Sequence, residues 1–116
     1  MEDMNFSPLR EPLIFDSHAH YDDERLLSCC DELFAELSKS VAGIITCSCD
    51  FASCEKAKSL AENHDFIYFA AGIHPENVDS VKGLPLDTVK QKLTEFSKHK
   101  KCVAIGEIGL DYYWTE

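Results

Sequence analysis

Residues 41–73 read VAGIITCSCDFASCEKAKSLAENHDFIYFAAGI and contain the pattern that decides the fold. Val41–Ser48 and Phe66–Ile73 are continuous apolar runs rich in β-branched and aromatic residues, which is typical of strands buried on both faces. Between them, Phe51–Asn63 has the apolar spacing of an amphipathic helix. Its inward residues are predicted to be Ala52, Ala57, Leu60 and Ala61, and its outward residues Glu55, Lys56, Lys58 and Glu62. This order indicates a βαβ unit with parallel strands.

The same alternation continues on both sides of this unit. An apolar run beginning at Leu13 predicts a first strand, and apolar residues at three- and four-residue spacing predict a helix over Arg25–Ser38. After a loop from His74 to Leu84, Pro85–His99 predicts a helix and Val103–Gly109 a fourth strand. The inward face of that helix is predicted to carry Val89, Leu93 and Phe96. We therefore expect an α/β fold with about four parallel strands and three helices.

The number of units suggests part of a larger architecture. A TIM-type (β/α)8 barrel needs eight such units and about 250 residues, whereas this chain has 116 residues, three complete units and a bare fourth strand. The sequence predicts the N-terminal half of such a barrel, truncated after the fourth strand, or a small open sheet with an uncovered face. Residues 1–12 are polar and predict an N-terminal arm, and residues 13–116 predict one partial domain without an internal boundary.

Composition excludes several classes of protein. Apolar residues make up 45% and charged residues 28%, which favours a globular domain over disorder. No apolar run is long enough to span a membrane, and the N-terminus lacks the pattern of a signal peptide, so we expect a cytoplasmic protein. The net charge of −10 argues against sequence-blind adhesion to nucleic acid through clustered Lys and Arg. Nucleic acid remains a possible substrate, because a bound divalent metal supplies local positive charge.

One basic cluster, Lys98–Lys101, falls between the third helix and the fourth strand. This position is at the amino-terminal side of the sheet, away from the edge where parallel folds build active sites. We therefore interpret the cluster as a solvated turn and not as a DNA-binding patch.

Cysteines are numerous but lack a C-x-x-C pair. Without an export signal, reduced thiols in a cytosolic protein are expected, and the pattern for a structural zinc site is weak. The alternative is that Cys47, Cys49 and Cys102 are small residues on buried or half-buried strands.

Two histidines follow the first apolar run, within the stretch Asp16-Ser-His18-Ala-His20-Tyr-Asp22. Successive side chains of a strand point to opposite faces, so His18 and His20 share one face. They lie at the carboxyl end of their strand, and two imidazoles side by side suit one divalent metal. The alternative is a pair of solvated histidines in a loop.

The ends of two other strands carry further candidates. Glu107 interrupts the fourth apolar run, and a carboxylate there needs a cation or hydrogen-bond partners. It lies on the same rim as His18 and His20 and could bridge two metals, or it could form a salt bridge with a neighbouring Lys. His74, in Gly72-Ile-His74-Pro75, could contact a substrate on that rim or cap the turn before Pro75.

These stretches carry a family resemblance. Residues 15–22 (FDSHAHYD), 72–75 (GIHP) and 106–113 (GEIGLDYY) resemble, in order and separation, the N-terminal signatures of the TatD family of metal-dependent deoxyribonucleases. The resemblance implies a βα barrel similar to the amidohydrolases, with a two-metal site at its carboxyl rim that hydrolyses phosphodiester bonds in DNA, several members acting as 3′ exonucleases. It implies that His18 and His20 bind the first metal, that Glu107 bridges both, and that His74 lies near the scissile phosphate. Members of the family carry two further histidines and an aspartate on later strands, beyond residue 116.

The metals could be Mg²⁺, Mn²⁺ or Zn²⁺, because histidine and carboxylate ligands accept all three to differing degrees. Two alternatives to the deoxyribonuclease remain open. One is hydrolysis of an amide, as in other amidohydrolases. The other is an inactive fragment that self-associates or needs a partner chain, because its sheet edge would be exposed.

Overall fold

The computed structural model describes residues 14–113. The predicted arm over residues 1–12 and the predicted strand start at Leu13 lie outside the described residues. The described elements, in chain order, are β1 (Ile14–Ala19), α1 (Glu24–Leu27), α2 (Cys30–Leu37), β2 (Val41–Cys47), α3 (Phe51–Asn63), β3 (Ile67–Ala71), a 3-10 helix (Pro75–Val81), α4 (Leu86–Ser97) and β4 (Cys102–Ile105).

The strands form one parallel sheet in the order β1-β2-β3-β4, which confirms the predicted α/β architecture. In the register, Ile44 pairs with Ile67, and Phe69 pairs with Cys102. Because all strands run the same way, their carboxyl ends meet at one edge. We call this edge the rim; it carries His18 near the end of β1 and the residues that follow the strands, His20, Cys49, His74 and Glu107.

The core lies between one face of the sheet and the helices. Ile44, Ile67 and Phe69 are fully buried there, and α3 covers them with Cys54, Ala57, Leu60 and Ala61. The prediction that Ala52 points inward is wrong, because it is exposed. Ala52 lies five positions before Ala57, and that spacing rotates it away from the buried stripe, where Cys54 lies instead.

The predicted helix over Arg25–Ser38 is two helices. Asp23 caps α1, its carboxylate accepting a hydrogen bond from the backbone N–H of Arg25, and the chain leaves helical geometry at Cys29, where φ is −127° and ψ is 20°. The apolar spacing continues across this break, which is why the pattern alone predicts one helix. Phe34 of α2 is the fully buried residue that anchors the pair to the core.

Two boundaries near the rim also differ from prediction. The loop predicted from His74 to Leu84 contains the 3-10 helix. The fourth strand ends at Ile105, so Glu107 follows the strand and is not part of it. On β4, Val103 and Ile105 are about half exposed, on the face opposite the partly buried Cys102, so the sheet has an open apolar face.

The basic cluster at the opposite edge is only partly solvated. Lys98 and Lys100 are exposed, as expected for a turn. Lys101, however, donates hydrogen bonds from Nζ to the carbonyls of Ala61, His64 and Asp65 at 2.8, 2.7 and 3.1 Å, where α3 ends. The interpretation as a solvated turn is therefore wrong for Lys101, whose cation binds backbone carbonyls at and just after the end of a helix.

Among the helices within residues 14–113, none combines the length and apolar character needed to cross a bilayer.

Candidate metal centre

The side chain of Glu107 is the centre of the rim. Its Oε2 atom lies 3.3 Å from Nε2 of His20 and 3.6 Å from Nε2 of His18, and its Oε1 atom lies 3.7 Å from Nε2 of His74. The carboxylate is about three-quarters buried, with 24% of the side chain exposed. The structure thus brings together all the sequence-predicted site residues, and the partners of Glu107 are histidines and not the neighbouring Lys considered above.

Backbone contacts fix Glu107 in this place. Its N–H donates to the carbonyl of Ser48 at 3.0 Å, and the N–H of Gly106 donates to the carbonyl of Ala71 at 2.9 Å. Gly72 permits this approach, because a Cβ at that position would lie 2.5 to 2.6 Å from backbone atoms of Gly106 and Glu107. The glycine of the 72–75 stretch therefore has a steric role in bringing the end of β4 against β3.

His20 is oriented to offer a lone pair. Its Nδ1 atom lies 3.0 Å from the carbonyl oxygen of Cys47. A carbonyl only accepts hydrogen bonds, so Nδ1 carries a proton, and in the neutral ring Nε2 then offers a lone pair. This is the arrangement in which metal-binding histidines are usually held, and Nε2 is the atom that faces Glu107.

His74 has the opposite tautomer. Its Nδ1 accepts a hydrogen bond from the N–H of Glu76 at 3.0 Å and so caps the 3-10 helix. The proton of the neutral ring is therefore on Nε2, which faces Oε1 of Glu107. The structure thus confirms that His74 caps the turn, and it also places the ring on the rim.

His18 shares a face with His20, as the alternation predicted. Ala19, between them, is buried in the core, and the two rings are 5.1 Å apart at an angle of 70°. The side chain of His18 is 58% exposed, so it is the most accessible of the rim histidines.

The donor set fits a divalent cation. One ligand atom each from His18, His20 and Glu107 lie within 4.8 Å of one another. Two imidazole nitrogens and a carboxylate oxygen suit Zn²⁺ and Mn²⁺, and the oxygen also suits Mg²⁺. His74 is outside this group of mutually close ligand atoms.

A family model described as TatD related DNase matches residues 15–116. The chain belongs to this family. YabD of Bacillus subtilis, described as an uncharacterized metal-dependent hydrolase, is 37% identical over 90% of this chain and 40% of its own length. The crystal structure of YjjV, a TatD homologue from Escherichia coli, superposes with a TM-score of 0.73 at 28% identity, over 86% of this chain and 38% of that one.

These comparisons confirm the TatD resemblance and the partial barrel. The chain spans about 40% of the length of the curated relatives it matches. The open face of the sheet is the side that faces the interior in a closed barrel of this type.

The sequence reasoning missed Cys49 as a member of the rim. Its thiol donates a hydrogen bond to Oε2 of Glu107 at a sulfur–oxygen distance of 3.7 Å. Burial, and then the negative charge of Glu107, raise the pKa of the Cys49 thiol to about 11. The missed signal was its position, two residues past Cys47 at the carboxyl end of β2.

The state of the cysteines agrees with expectation. All six lie within the described residues and are free thiols, and Cys47 is buried.

Proposed function

We propose that these rim residues form the N-terminal part of a two-metal site that hydrolyses phosphodiester bonds in DNA, as a 3′ exonuclease. In this proposal His18 and His20 would hold one cation through Nε2, Glu107 would bridge it to a second, and His74 would donate a hydrogen bond toward the scissile phosphate. The observation that carries the proposal is the placement of the Glu107 carboxylate against the three histidines.

The bridging role is supported by the fact that the two carboxylate oxygens of Glu107 face different side chains. Oε2 faces the His18–His20 pair, and Oε1 faces away from it toward His74. Each oxygen is therefore available to a different partner. When bound, divalent cations lower the pKa of a coordinated water and neutralise charge on phosphoryl oxygens.

The role of His74 follows from its tautomer. Because Nδ1 is occupied by the N–H of Glu76, the ring presents an N–H and not a lone pair to the rim. An N–H at this place can donate to a phosphoryl oxygen, where it stabilises developing negative charge. The same ring would be a poor metal ligand without turning, which separates its role from that of His20.

DNA as the substrate is supported by the family and by the charge distribution. The stretch around His18 and His20 carries the acidic residues Asp16, Asp22 and Asp23, and the one basic cluster lies at the opposite edge. The nearby side chains of Arg25 and Lys56 are in ion pairs with Asp23 and Glu24. A phosphodiester at the rim would therefore be held through the bound metal ions.

The proposal is tested in a chimera that joins residues 14–113 to the segment of Bacillus subtilis YabD that follows the matched region. With Mn²⁺ and a 5′-labelled single-stranded DNA, a 3′ exonuclease gives a ladder of products shortened one nucleotide at a time. We expect Glu107→Gln to abolish the ladder and Glu55→Gln, an exposed control on α3, to leave it unchanged.

The other functions give different results in the same assay. Retained cleavage by Glu107→Gln would contradict the bridging role. Hydrolysis of small linear or cyclic amides, without cleavage of DNA, would favour an amide hydrolase. A folded chimera that binds cations but acts on neither would favour an inactive chain.

A further inference from the structure

We propose that a second copy of this chain covers the open face of the sheet, so that two copies close one eight-stranded barrel. The association would also pair the two sheet edges that have no partner strand within residues 14–113. It does not depend on the proposed function, because it uses the open face and the edges and not the metal ligands. It bears on that function, since both rims would lie at the same end of the dimer.

The first argument is the apolar surface of the open face. Phe15 lies on this face, because a Cβ at Gly43 would be 2.5 Å from its ring, and Gly43 alternates with Ile44, which points into the core. Val103 and Ile105 of β4 also lie on the open face, and all three apolar side chains are about half exposed. A continuous apolar surface on a globular domain marks a place where another surface packs.

The exposed area approaches the size that a dimer needs. Ile108 and Leu110, in the segment that follows β4, are more exposed than the three strand residues. At roughly 100 Å² for each of these five side chains, one copy presents on the order of 500 Å² of apolar surface. A standard interface buries roughly 800 Å² on each partner, and the backbone of the two edges would supply the remainder.

The second argument is that β1 and β4 are edge strands. In the order β1-β2-β3-β4, each of them has a neighbour on one side, and no other strand within residues 14–113 pairs with its outer edge. Unpaired N–H and C=O groups along such an edge are a template for another strand. All four strands are parallel, so β4 of one copy can pair with β1 of a second copy that runs in the same direction.

The third argument is the curvature of the sheet, which is that of a partial barrel, as its superposition on the YjjV structure shows. A closed barrel of this type has eight strands, and the described sheet has four. A two-fold rotation about an axis along the barrel brings β4 of each copy against β1 of the other, and the eight strands then close without a free edge. The same rotation covers both open faces, which is why a second copy fits as the occupant.

The test is sedimentation equilibrium of the complete 116-residue chain over a range of micromolar concentrations. We expect a reversible dimer and no larger species. Phe15→Asp and Val103→Asp should each raise the dissociation constant about tenfold or more, because each would bury an unpaired charge in the interface. Leu86→Asp is the matched control: Leu86 is also exposed but lies on α4, so this variant should dimerise like wild type.

A second measurement needs no variant. When an isotope-labelled copy is mixed with an unlabelled one, NMR experiments filtered for contacts between copies should show contacts from β1 of one copy to β4 of the other. Dilution to the monomer should speed hydrogen exchange at backbone amides of β1 and β4 and leave the exchange of α3 unchanged.

The outcomes also name the other occupant of the open face. A chain that stays monomeric, forms larger open-ended assemblies, dimerises without β1–β4 contacts, or dimerises equally well as Phe15→Asp and Val103→Asp would overturn the inference. A monomeric chain that binds the YabD segment of the chimera, added as a separate peptide, would show that later strands of a barrel cover the face and not a second copy. Zinc titration of the same preparation tests the proposed function separately: a dimer that binds no Zn²⁺ would contradict the metal centre and leave this inference standing.

Discussion

The two edges of the sheet use similar residues in different ways. At the amino-terminal edge, Lys101 donates to three backbone carbonyls at 2.7 to 3.1 Å, and Nδ1 of His99 accepts from the N–H of Lys101 at 3.0 Å while its ring packs on Phe69. At the rim, Glu107 faces the side chains of His20 and His74 at 3.3 to 3.7 Å, longer than ordinary hydrogen bonds.

The difference separates a structural edge from a functional one. The cation of Lys101 is matched to backbone carbonyls where a helix ends, so its contacts stabilise the fold. The Glu107 carboxylate and the Nε2 atoms of the histidines face one another without a short contact between them, which is the arrangement expected where a ligand completes the set. In barrels of this type, residues at the carboxyl edge serve catalysis and those at the opposite edge serve stability.

The largest effect is expected at the rim, for cation binding. Glu107→Gln removes the charge that faces His18 and His20, so we expect the affinity for Zn²⁺ to fall about 100-fold or more, with little change in the free energy of unfolding. Isothermal titration of the 116-residue chain measures the affinity, with Glu55→Gln as the control. Equal affinities for wild type and Glu107→Gln would remove the functional distinction between the edges.

The next effect is expected where the rim depends on close packing. Gly72→Ala would place a methyl group 2.5 to 2.6 Å from the backbone of Gly106 and Glu107, so we expect a loss of about 3 kcal/mol in the free energy of unfolding and weaker cation binding. Gly106→Ala is the matched control, because nothing lies within 4 Å of its added Cβ. Chemical denaturation measures both, and similar stabilities for the two variants would contradict the steric role of Gly72.

Glu107 and Gly72 show how much of the rim could be predicted from the sequence. The period-two alternation of a strand placed His18 and His20 on one face, and the order of strands and helices placed Glu107 on the same edge, because both patterns are local. The role of Gly72 could not be predicted, since it depends on how close β4 comes to β3. Lys101 was misassigned for the same reason: the end of α3 lies about 40 residues away in sequence, and only the fold brings them together.

At the structural edge, a stability effect without a binding effect is expected. Lys101→Met removes charged hydrogen bonds to Ala61, His64 and Asp65, so we expect a loss of about 2 kcal/mol in the free energy of unfolding. Lys100→Met, an exposed neighbour, should change it by less than about 0.5 kcal/mol. A loss of Zn²⁺ affinity in folded Lys101→Met would show that the two edges are not independent.

The smallest effect is expected in the layer beneath the rim, where Cys54 is fully buried and burial raises the pKa of its thiol. The folded chain keeps this proton at pH values where the unfolded chain loses it, so the free energy of unfolding should fall as the pH rises past the ordinary thiol pKa of about 8.5. Between pH 8 and 10, the fall in the free energy of unfolding should be about 1 kcal/mol smaller in Cys54→Ala than in wild type. Cys29 is exposed, so Cys29→Ala should not change the fall. Urea titrations at a series of pH values measure the free energy of unfolding. If it falls equally with pH in wild type and in Cys54→Ala, Cys54 is not the source of the pH dependence.

The most direct measurement is a crystal structure of the 116-residue chain grown with Zn²⁺, with anomalous diffraction data collected on both sides of the zinc absorption edge. The account predicts a zinc peak about 2.0 to 2.2 Å from Nε2 of His20, Nε2 of His18 and an oxygen of Glu107. A zinc peak bound elsewhere, with the three side chains turned away from one another, would contradict it.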